Sequence, residues 1–338
     1  MKLSVQPMTL NLKTTFRVSH GASDQRHNVL VVIEHNGLVG YGEAAAVFYY
    51  GDTQESLSAY INALPPLGED PFLLEEVLNS LPPGPHAAQA AVDIALHDLW
   101  GKMLGQPLYR LFGLKPAPLH QTSFTIGIDT PEVMAQRVKE SNYPVIKVKL
   151  GPDDAEATVA AIRQATNARL RVDANAAWTP EQALELITRL SQYHLELIEQ
   201  PLPAGDVESY LWLRGQLRAR GVPTPIFVDE SVKTSHDVAA YAGAVDGVVV
   251  KLMKTGGLRE ALRTIHTARA NGMKIMLSCM IESSVGVTAA AHLAPLCDHL
   301  DLDGPLLIGN DPFSGIRYDG ANLFLPEGPG LGVLPISK

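Results

Sequence analysis

Residues 145–173 read VIKVKLGPDDAEATVAAIRQATNARLRVD, and this stretch decides the fold. Residues 145–150 are a run of strand length in which lysines alternate with apolar residues, and a polar turn and an amphipathic helical pattern follow it. Residues 170–173 then form a second short strand, in which Leu170 and Val172 are apolar. Short buried strands that alternate with helices are typical of βαβ units, in which neighbouring strands run parallel. The stretch therefore predicts a parallel sheet covered by helices.

The same unit recurs on both sides of this stretch. Eight strands are predicted, and a helical pattern follows each of the first seven. The strands are Ser123–Ile128, Val145–Leu150, Leu170–Asp173, Leu197–Glu199, Ile226–Asp229, Gly247–Leu252, Lys274–Leu277 and His299–Asp303. Seven βα units and a final strand favour an α/β protein with a (β/α)8 TIM barrel, although a doubly wound open sheet gives a similar rhythm.

The chain before this rhythm is of another kind. It contains β-rich runs and then helical patterns, and the turn signal Asn36-Gly37 predicts a hairpin. The β-rich runs are residues 2–12, 28–34 and 39–43, and the helical patterns are residues 53–64, 70–81 and 86–103. We therefore expect an α+β domain over residues 1–120 and the barrel over residues 121–310. The Gly- and Pro-rich residues 311–338 are expected to return to the first domain and complete it.

The composition argues against several classes of function. The chain has 338 residues, and 27 Lys and Arg against 36 Asp and Glu give a formal net charge of −9. We therefore expect no nucleic-acid partner and no anionic membrane surface as partner. No stretch approaches the roughly 20 apolar residues that cross a bilayer, and a secretory signal pattern is missing, so we expect a cytoplasmic protein. Two cysteines are too few for a disulfide framework.

Acidic residues end three consecutive predicted strands: Asp173, Glu199 and Asp229. In an α/β barrel the active site lies at the carboxyl ends of the strands. A single acid in such a place is more often a helix N-cap. Three acids on adjacent strands, about 4.8 Å apart, repel one another unless a cation neutralises them. Oxygen ligands without histidine or cysteine favour Mg²⁺, with Mn²⁺ as a substitute.

Lysines occupy strands on either side of these acids. Lys147 and Lys149 share one face of a strand whose alternate residues are apolar, and an exposed edge with solvated lysines is the alternative interpretation. Lys251 ends the sixth strand, so we expect it to face Lys149 across the barrel. Two opposed lysines and a metal suit removal and return of a proton beside a carboxylate, which is racemase or epimerase chemistry. For Lys254 we expect a solvated helix start or a supporting position.

Together these motifs resemble the muconate-lactonising branch of the enolase superfamily, with the α+β domain in the place of its capping domain. The motifs are Lys147-x-Lys149, Asp173-x-Asn175, Glu199-Gln-Pro, Asp229-Glu230-Ser and Lys251-x-x-Lys254-x-Gly-Gly. The resemblance implies that the three acids bind Mg²⁺, that Lys149 and Lys251 exchange the proton, and that Lys147 assists the substrate carboxylate. It implies supporting positions for Asn175, Glu230 and Lys254.

The end of strand eight distinguishes members of this branch. Asp301 and Asp303 point to the same face of the strand, and paired acids suit an ammonium group. The pair resembles the element with which dipeptide epimerases hold the α-amino group of their substrate, whereas a helix cap or a loop acid is the alternative interpretation. The segment after strand seven and one residue of strand one also resemble substrate contacts of these enzymes: Cys279, Met280, Ile281 and Thr125.

One loop departs from the epimerase pattern. In the Ala-Glu epimerases a capping loop near residue 20 carries an arginine for the glutamate side chain, whereas this chain has His20, predicted to contact substrate. Arg17 or Arg26 could compensate. The aromatic residues 48–50 of a second capping loop could instead favour an apolar side chain, or serve only in core packing.

The resemblance implies an isomerase, a Mg²⁺-dependent epimerase that inverts the α-carbon of the C-terminal residue of an L,L-dipeptide. Two lysines would transfer the proton through a metal-stabilised enediolate. The alternatives within the branch are an N-acylamino acid racemase and an o-succinylbenzoate synthase. The alternative from another class is a non-catalytic structural or binding protein on this fold. A small-molecule dipeptide is the expected partner, and a homo-oligomer is the expected assembly.

Overall fold

The computed structural model describes residues 1–18, 21–116, 119, 121–151 and 153–336. The N-terminal domain contains an antiparallel sheet of order β1-β2-β3, with β1 at Lys2–Val18, β2 at Gly21–His35 and β3 at Leu38–Ala44. Strands β1 and β2 are longer than predicted because they continue past β3 as a two-stranded hairpin. There the carbonyl of Arg17 accepts a hydrogen bond from the backbone N–H of Ile128, which belongs to the barrel, at 3.0 Å.

Four helices follow this sheet: α1 (Gln54–Asn62), α2 (Leu74–Asn79), α3 (His86–Leu104) and α4 (Leu108–Leu111). Helix α2 is shorter than the predicted helix over 70–81, since the Asp70 side chain accepts a hydrogen bond from the N–H of Phe72 in a preceding turn. Helix α3 packs directly on β3. A Cβ atom on Gly42 would lie 1.9 Å from the carbonyl oxygen of Ala91, so only glycine permits this approach.

All eight predicted barrel strands are present, and their ends agree within two residues. They are β4 (Phe124–Ile126), β5 (Val145–Lys149), β6 (Arg169–Asp173), β7 (Leu197–Glu199), β8 (Ile226–Val228), β9 (Gly247–Val250), β10 (Lys274–Ser278) and β11 (His299–Asp301). Every neighbouring pair is parallel, and a bridge between Thr122 and Leu300 joins the first strand to the last. The strand order follows the chain without reversal. The fold is therefore a barrel, and the doubly wound alternative is wrong.

Helices surround the barrel: α5 (Pro131–Ser141), α6 (Ala155–Ala165), α7 (Pro180–Leu190), α8 (Val207–Ala219), α9 (Ser235–Val238), α10 (Leu252–Thr255), α11 (Leu258–Ala270), α12 (Ser284–Ala291) and α13 (Gly304–Leu307). Proline at the first turn and a threonine cap begin both α5 and α7. All residues of α12 are buried, because this helix packs against β3 and α3 of the N-terminal domain. Among the described residues no helix has the length and apolar character to cross a bilayer.

The described part of the C-terminal tail forms four short strands, β12 (Phe313–Ser314), β13 (Arg317–Asp319), β14 (Asn322–Phe324) and β15 (Leu334–Pro335). It contacts the N-terminal domain. The backbone N–H of Leu331 donates to Asp98 on α3 at 2.8 Å, and the Phe313 ring packs edge-on against Tyr41 on β3. The division of the chain at residues 120 and 310 stays a prediction.

Candidate active site

The carboxyl ends of the barrel strands and the N-terminal domain enclose a cavity of about 360 Å³. This volume lies in the range of small-molecule sites. Most of the predicted site residues line it: Thr125, Lys147, Lys149, Asn175, Asp229, Glu230, Lys251, Cys279, Met280, Ile281, Asp301 and Asp303. Asp173, Glu199 and Lys254 are buried beside the cavity. His20 lies outside the described residues.

The three strand-end acids are brought together in the barrel. Asp173 and Glu199 are direct neighbours on β6 and β7, and Asp229 follows the next strand, β8. All three are buried. Burial and the charge of Asp173 raise the pKa of Glu199 well above its usual value. The crowding expected from the sequence is therefore present, and it makes a full set of negative charges costly.

Lysine side chains neutralise these acids in the structure. Lys147 Nζ lies 2.7 Å from Glu199 Oε2 and 3.1 Å from Asp173 Oδ2. Lys149 Nζ lies 2.6 Å from Asp173 Oδ2, and Lys251 Nζ lies 2.6 Å from Asp229 Oδ2. Each proposed base is thus hydrogen-bonded to a proposed metal ligand.

The pKa of Lys251 shows what this contact does. Burial acts to lower the pKa, but the negative charges of Asp229 and Glu199 outweigh burial and raise it above the usual value of 10.5. Lys251 is therefore an ammonium group while it is bound to Asp229. It becomes a base only when a second cation takes over the charge of Asp229.

The residues fit a hard divalent cation after rearrangement. Within the described part of the chain, no three acidic, histidine or cysteine groups are already arranged to hold a metal ion. The Lys147 ammonium lies between Asp173 and Glu199 instead. Glu199 Oε1 is nevertheless buried without a hydrogen-bond partner among the described residues, and the side-chain ligand atoms of the three acids are all oxygens. A cation that entered this site would have to displace Lys147 from Glu199.

Of the two positions predicted for Lys254, the solvated helix start is wrong. This lysine is 1% exposed, and its Nζ donates to the backbone carbonyls of Val232 and Val249 at 3.0 and 2.9 Å. It also lies 2.5 Å from Asp229 Oδ1. Lys254 therefore contacts Asp229 from behind, whereas Lys251 contacts it from the cavity.

Asn175 and Glu230 line the cavity next to the acids. The amide of Asn175 donates to Glu230 Oε1 at 3.3 Å, and Glu230 Oε2 is buried without a hydrogen-bond partner among the described residues. Burial and the charge of Asp229 raise the pKa of Glu230 to about 7. Glu230 is thus a further carboxyl oxygen within the same charged network.

The two acids of strand eight differ in their surroundings. Asp301 accepts hydrogen bonds from Ser123 Oγ at 2.6 Å and Ser278 Oγ at 2.8 Å, and it pairs with Lys147 at 2.9 Å. Asp303 accepts a hydrogen bond from the backbone N–H of Thr125 at 2.7 Å and has no ion-pair partner among the described residues. Burial and the charge of Asp301 raise the pKa of Asp303 to about 7. Asp303 is the acid that is ready to receive a cation.

The serines that hold Asp301 were missed in the sequence. Ser278 ends β10 directly beside Asp301, and Ser123 lies two residues before Thr125. Strand alternation therefore places Ser123 on the same face as Thr125. Strand alternation is therefore the signal by which Ser123 could have been found in the sequence.

The wall opposite the barrel comes from the N-terminal domain. Arg26 on β2 and the segment Phe48–Tyr50 line it, and Phe48 is 84% exposed. Arg17 is not among the lining residues, because its guanidinium pairs with Asp129 at 3.5 Å. Of the two arginines considered from the sequence, the structure brings Arg26 to the cavity.

Comparisons with known proteins agree with this geometry. Residues 129–336 match a family model described as enolase C-terminal domain-like, and residues 2–113 match the mandelate racemase/muconate lactonizing enzyme N-terminal domain. The chain is 41% identical to the L-Ala-D/L-Glu epimerase of Bacteroides thetaiotaomicron. The alignment extends over 343 residues and covers 99% of this chain and 88% of that relative.

Two solved structures resemble the whole chain. The dipeptide epimerase of Enterococcus faecalis, complexed with Mg and L-Leu-L-Tyr, has a TM-score of 0.90 at 35% identity and covers 98% of each chain. A substrate-liganded L-Ala-D/L-Glu epimerase of Bacillus subtilis has a TM-score of 0.93 at 30% identity, over 100% of this chain and 99% of that one. The chain therefore belongs to the mandelate racemase/muconate-lactonizing branch of the enolase superfamily.

Proposed function

We propose that this chain is a Mg²⁺-dependent dipeptide epimerase that inverts the α-carbon of the C-terminal residue of an L,L-dipeptide. One observation carries the proposal: Lys149 and Lys251 line the same cavity as Asp303, an acid without an ion-pair partner in the described residues. The lysines suit proton exchange at a carbon, and the acid suits an ammonium group near that carbon. Relatives named as dipeptide epimerases support this substrate class.

Asp173, Glu199 and Asp229 are the residues that would hold Mg²⁺. A bound divalent cation stabilises the negative charge that develops on the substrate carboxylate when the α-proton leaves. A relative solved with Mg supports this choice of cation. Mn²⁺, which also prefers oxygen ligands, stays a predicted substitute.

Lys149 and Lys251 would share the proton transfer. The lysine on one face of the α-carbon removes the proton in its neutral form, and the ammonium group on the other face returns one. Each Nζ now lies 2.6 Å from a strand-end acid. Turnover therefore requires both lysines to leave these acids, and Lys147, released from Glu199, can approach the substrate carboxylate.

Asp303 would hold the substrate ammonium group. The backbone N–H of Thr125 keeps one of its oxygens in place. An ammonium group beside Asp303 favours its ionised form, so binding is expected to lower its pKa from about 7. Asp301 would contribute through its charge and through its contact with Lys147, because its oxygens already accept bonds from two serines.

The wall formed by the N-terminal domain would contact the substrate side chain. Arg26 is the cation that the described residues of this domain contribute to the cavity. The Arg26 guanidinium is half-buried and has no acidic partner in the part of the chain that the structure describes, so it favours an anionic group. We therefore expect dipeptides with a C-terminal glutamate or aspartate to be among the substrates, packed beside the aromatic residues 48–50.

The test is a dipeptide library in D₂O, with mass spectrometry to detect exchange of the α-proton and chromatography to detect the new epimer. The proposal predicts deuterium incorporation and epimer formation in free dipeptides. Turnover of N-acylated amino acids alone would instead indicate an N-acylamino acid racemase. If neither class of compound exchanges its α-proton and an o-succinylbenzoate synthase assay is also negative, the results favour a non-catalytic protein. A homo-oligomeric state and a cytoplasmic location stay predictions, which sedimentation and cell fractionation test.

A further inference from the structure

Two buried carboxyl groups that the proposed chemistry does not use meet behind the cavity. Glu43 ends the N-terminal sheet on β3, and Glu282 lies between β10 and α12; they are 0% and 1% exposed. A Cβ atom on Gly286 would lie 2.2 Å from Glu282 Oε2 and 3.2 Å from Glu43 Oε2. The two carboxyl oxygens therefore border the same small space.

Glu43 is surrounded by hydrogen-bond donors. Its oxygens accept bonds from Asn28 Nδ2 at 2.8 Å, from the Ser283 N–H and hydroxyl at 2.9 and 2.6 Å, and from the Gly286 N–H at 3.0 Å. A set made only of donors stabilises the ionised carboxylate, and it opposes the effect of burial, which raises the pKa of Glu43.

Glu282 has the opposite surroundings. Its Oε1 accepts the N–H of Met280 at 2.7 Å, whereas its Oε2 is buried without a hydrogen-bond partner among the described residues. Burial and the charge of Glu43 raise the pKa of Glu282 to about 8, and Lys251 acts weakly in the other direction. Burial also raises the pKa of the nearby Cys279 thiol, which stays neutral. Near pH 7 Glu282 therefore carries a proton.

These contacts hold the segment Cys279–Ile281 that lines the cavity. Asn28 Nδ2 donates both to Glu43 Oε1 and to the backbone carbonyl of Ile281, the latter at 3.1 Å. On the other side, a Cβ on Gly304 would lie 3.1 Å from backbone atoms of Met280 and Glu282. The segment is thus fixed between the N-terminal domain and the residue that follows Asp303.

We propose that Glu43, as a carboxylate, and Glu282, as a neutral carboxyl group, are positioning residues, and that this pair holds the segment Cys279–Ile281 against the substrate. The proposal rests on the proposed function, because the segment is taken to contact the dipeptide. Loss of the Glu282 proton places two negative charges in the same buried space. The segment then moves away, and substrate binding weakens at alkaline pH.

Glu282→Gln tests the pair, since an amide has nearly the shape of the neutral carboxyl group but cannot ionise. With a pKa of about 8, wild-type Glu282 is about nine-tenths ionised at pH 9. Between pH 7 and 9 the KM for a dipeptide rises in both proteins because the substrate α-amino group loses its proton. We expect the rise to be several-fold larger in the wild type than in Glu282→Gln. Glu132→Gln, which changes an exposed glutamate on α5, is the control and should follow the wild type.

Hydrogen–deuterium exchange supplies a readout without substrate. At pH 9 the backbone amides of residues 279–286 should exchange faster in the wild type than in Glu282→Gln, and at pH 6.5 the two proteins should agree. Comparison at equal pH cancels the intrinsic effect of hydroxide. Equal protection of residues 279–286 in the two proteins at pH 9 would overturn the proposed role of Glu43 and Glu282. Absence of α-proton exchange by the wild type on every dipeptide would overturn the proposed function instead.

Thermal unfolding gives a third measurement. A fourth measurement, given last, uses only the wild type, so it applies even if the variant folds poorly. The folded pKa of Glu282 lies above its ordinary value of 4.5, so this group lowers wild-type stability as pH rises from about 4.5 to about 8. The difference in Tm between Glu282→Gln and the wild type should grow in favour of the variant over this range. In the wild type alone, protection of residues 279–286 should fall with a midpoint near pH 8. Protection of residues 279–286 that does not change with pH would contradict the proposal.

Discussion

At the scale of single residues, Asp303 separates the proposed substrate from its nearest alternative. Asp303→Asn should remove a charge-assisted contact worth about 1.5 to 3 kcal/mol, or roughly ten- to a hundredfold in kcat/KM, on free dipeptides. N-acetylated dipeptides lack the ammonium group, so the variant should lose much less on them. Steady-state kinetics on matched pairs of free and acetylated substrates measures this difference. An equal loss on both would indicate a structural acid and favour an N-acylamino acid substrate.

The two lysines make a second prediction at this scale. Lys149→Ala and Lys251→Ala should each abolish epimerisation, because one face of the α-carbon then lacks the lysine that removes or returns its proton. Each variant should still exchange the α-proton of one substrate epimer, on the face that the remaining lysine addresses. NMR in D₂O, with the L,L- and L,D-dipeptides assayed separately, distinguishes the two. Epimerisation at the wild-type rate by either variant would show that its lysine is not a base.

The residue scale also shows how far the sequence reaches. The acids and lysines of the site were identified because strand alternation and strand ends depend only on local pattern. The sequence did not indicate that Lys147 is paired with Glu199 and Asp301, or that Lys254 is buried behind Asp229. Those pairings depend on side-chain packing across the barrel.

At the scale of elements, the contact between β3 and α3 is made by backbone atoms. Gly42→Ala would place a Cβ 1.9 Å from the Ala91 carbonyl oxygen, and neither backbone can move without disturbing the N-terminal sheet. We expect a loss of stability of roughly 1–3 kcal/mol or more, measured by denaturant unfolding. The matched control is Gly215→Ala, an exposed position on α8 with no atom within 4 Å of the new Cβ.

The control should change stability in the opposite direction. Alanine at Gly215 is expected to stabilise the chain by about 0.5–1 kcal/mol, because it lowers the entropy of the unfolded chain and favours helix. Equal stability of Gly42→Ala and the wild type would mean that β3 and α3 do not approach as closely as described.

The hairpin of β1 and β2 shows why one element was predicted too short. Its outer half is exposed, and residues 21–27 of β2 have no buried side chain. A strand that buries neither face has no apolar alternation, so its sequence resembles that of a loop. Pairing between the two chains, together with contact to the barrel, extends the strands there.

At the scale of the whole molecule, Mg²⁺ is expected to stabilise the fold as well as support turnover. A ligand that binds only the folded chain adds about 2.7 kcal/mol at a hundred times its Kd. Mg²⁺ should therefore raise the Tm of the wild type, and chelation should abolish α-proton exchange. Glu199→Gln should show a much smaller rise in Tm. Full activity after exhaustive chelation would contradict the metal site.

By itself, the sequence determined the α+β beginning, the eight strands with their helices, and the acids and lysines at the strand ends. These features follow from periodicity and from turn chemistry, which act over a few residues. Only the tertiary structure decided which charged groups pair. Lys147 meets Asp301 across 154 positions of the chain, and Glu43 meets Ser283 across 240. Such contacts exist only after the barrel has closed and the N-terminal sheet has packed on it, because burial creates both the neighbours and the electrostatic cost that makes them pair.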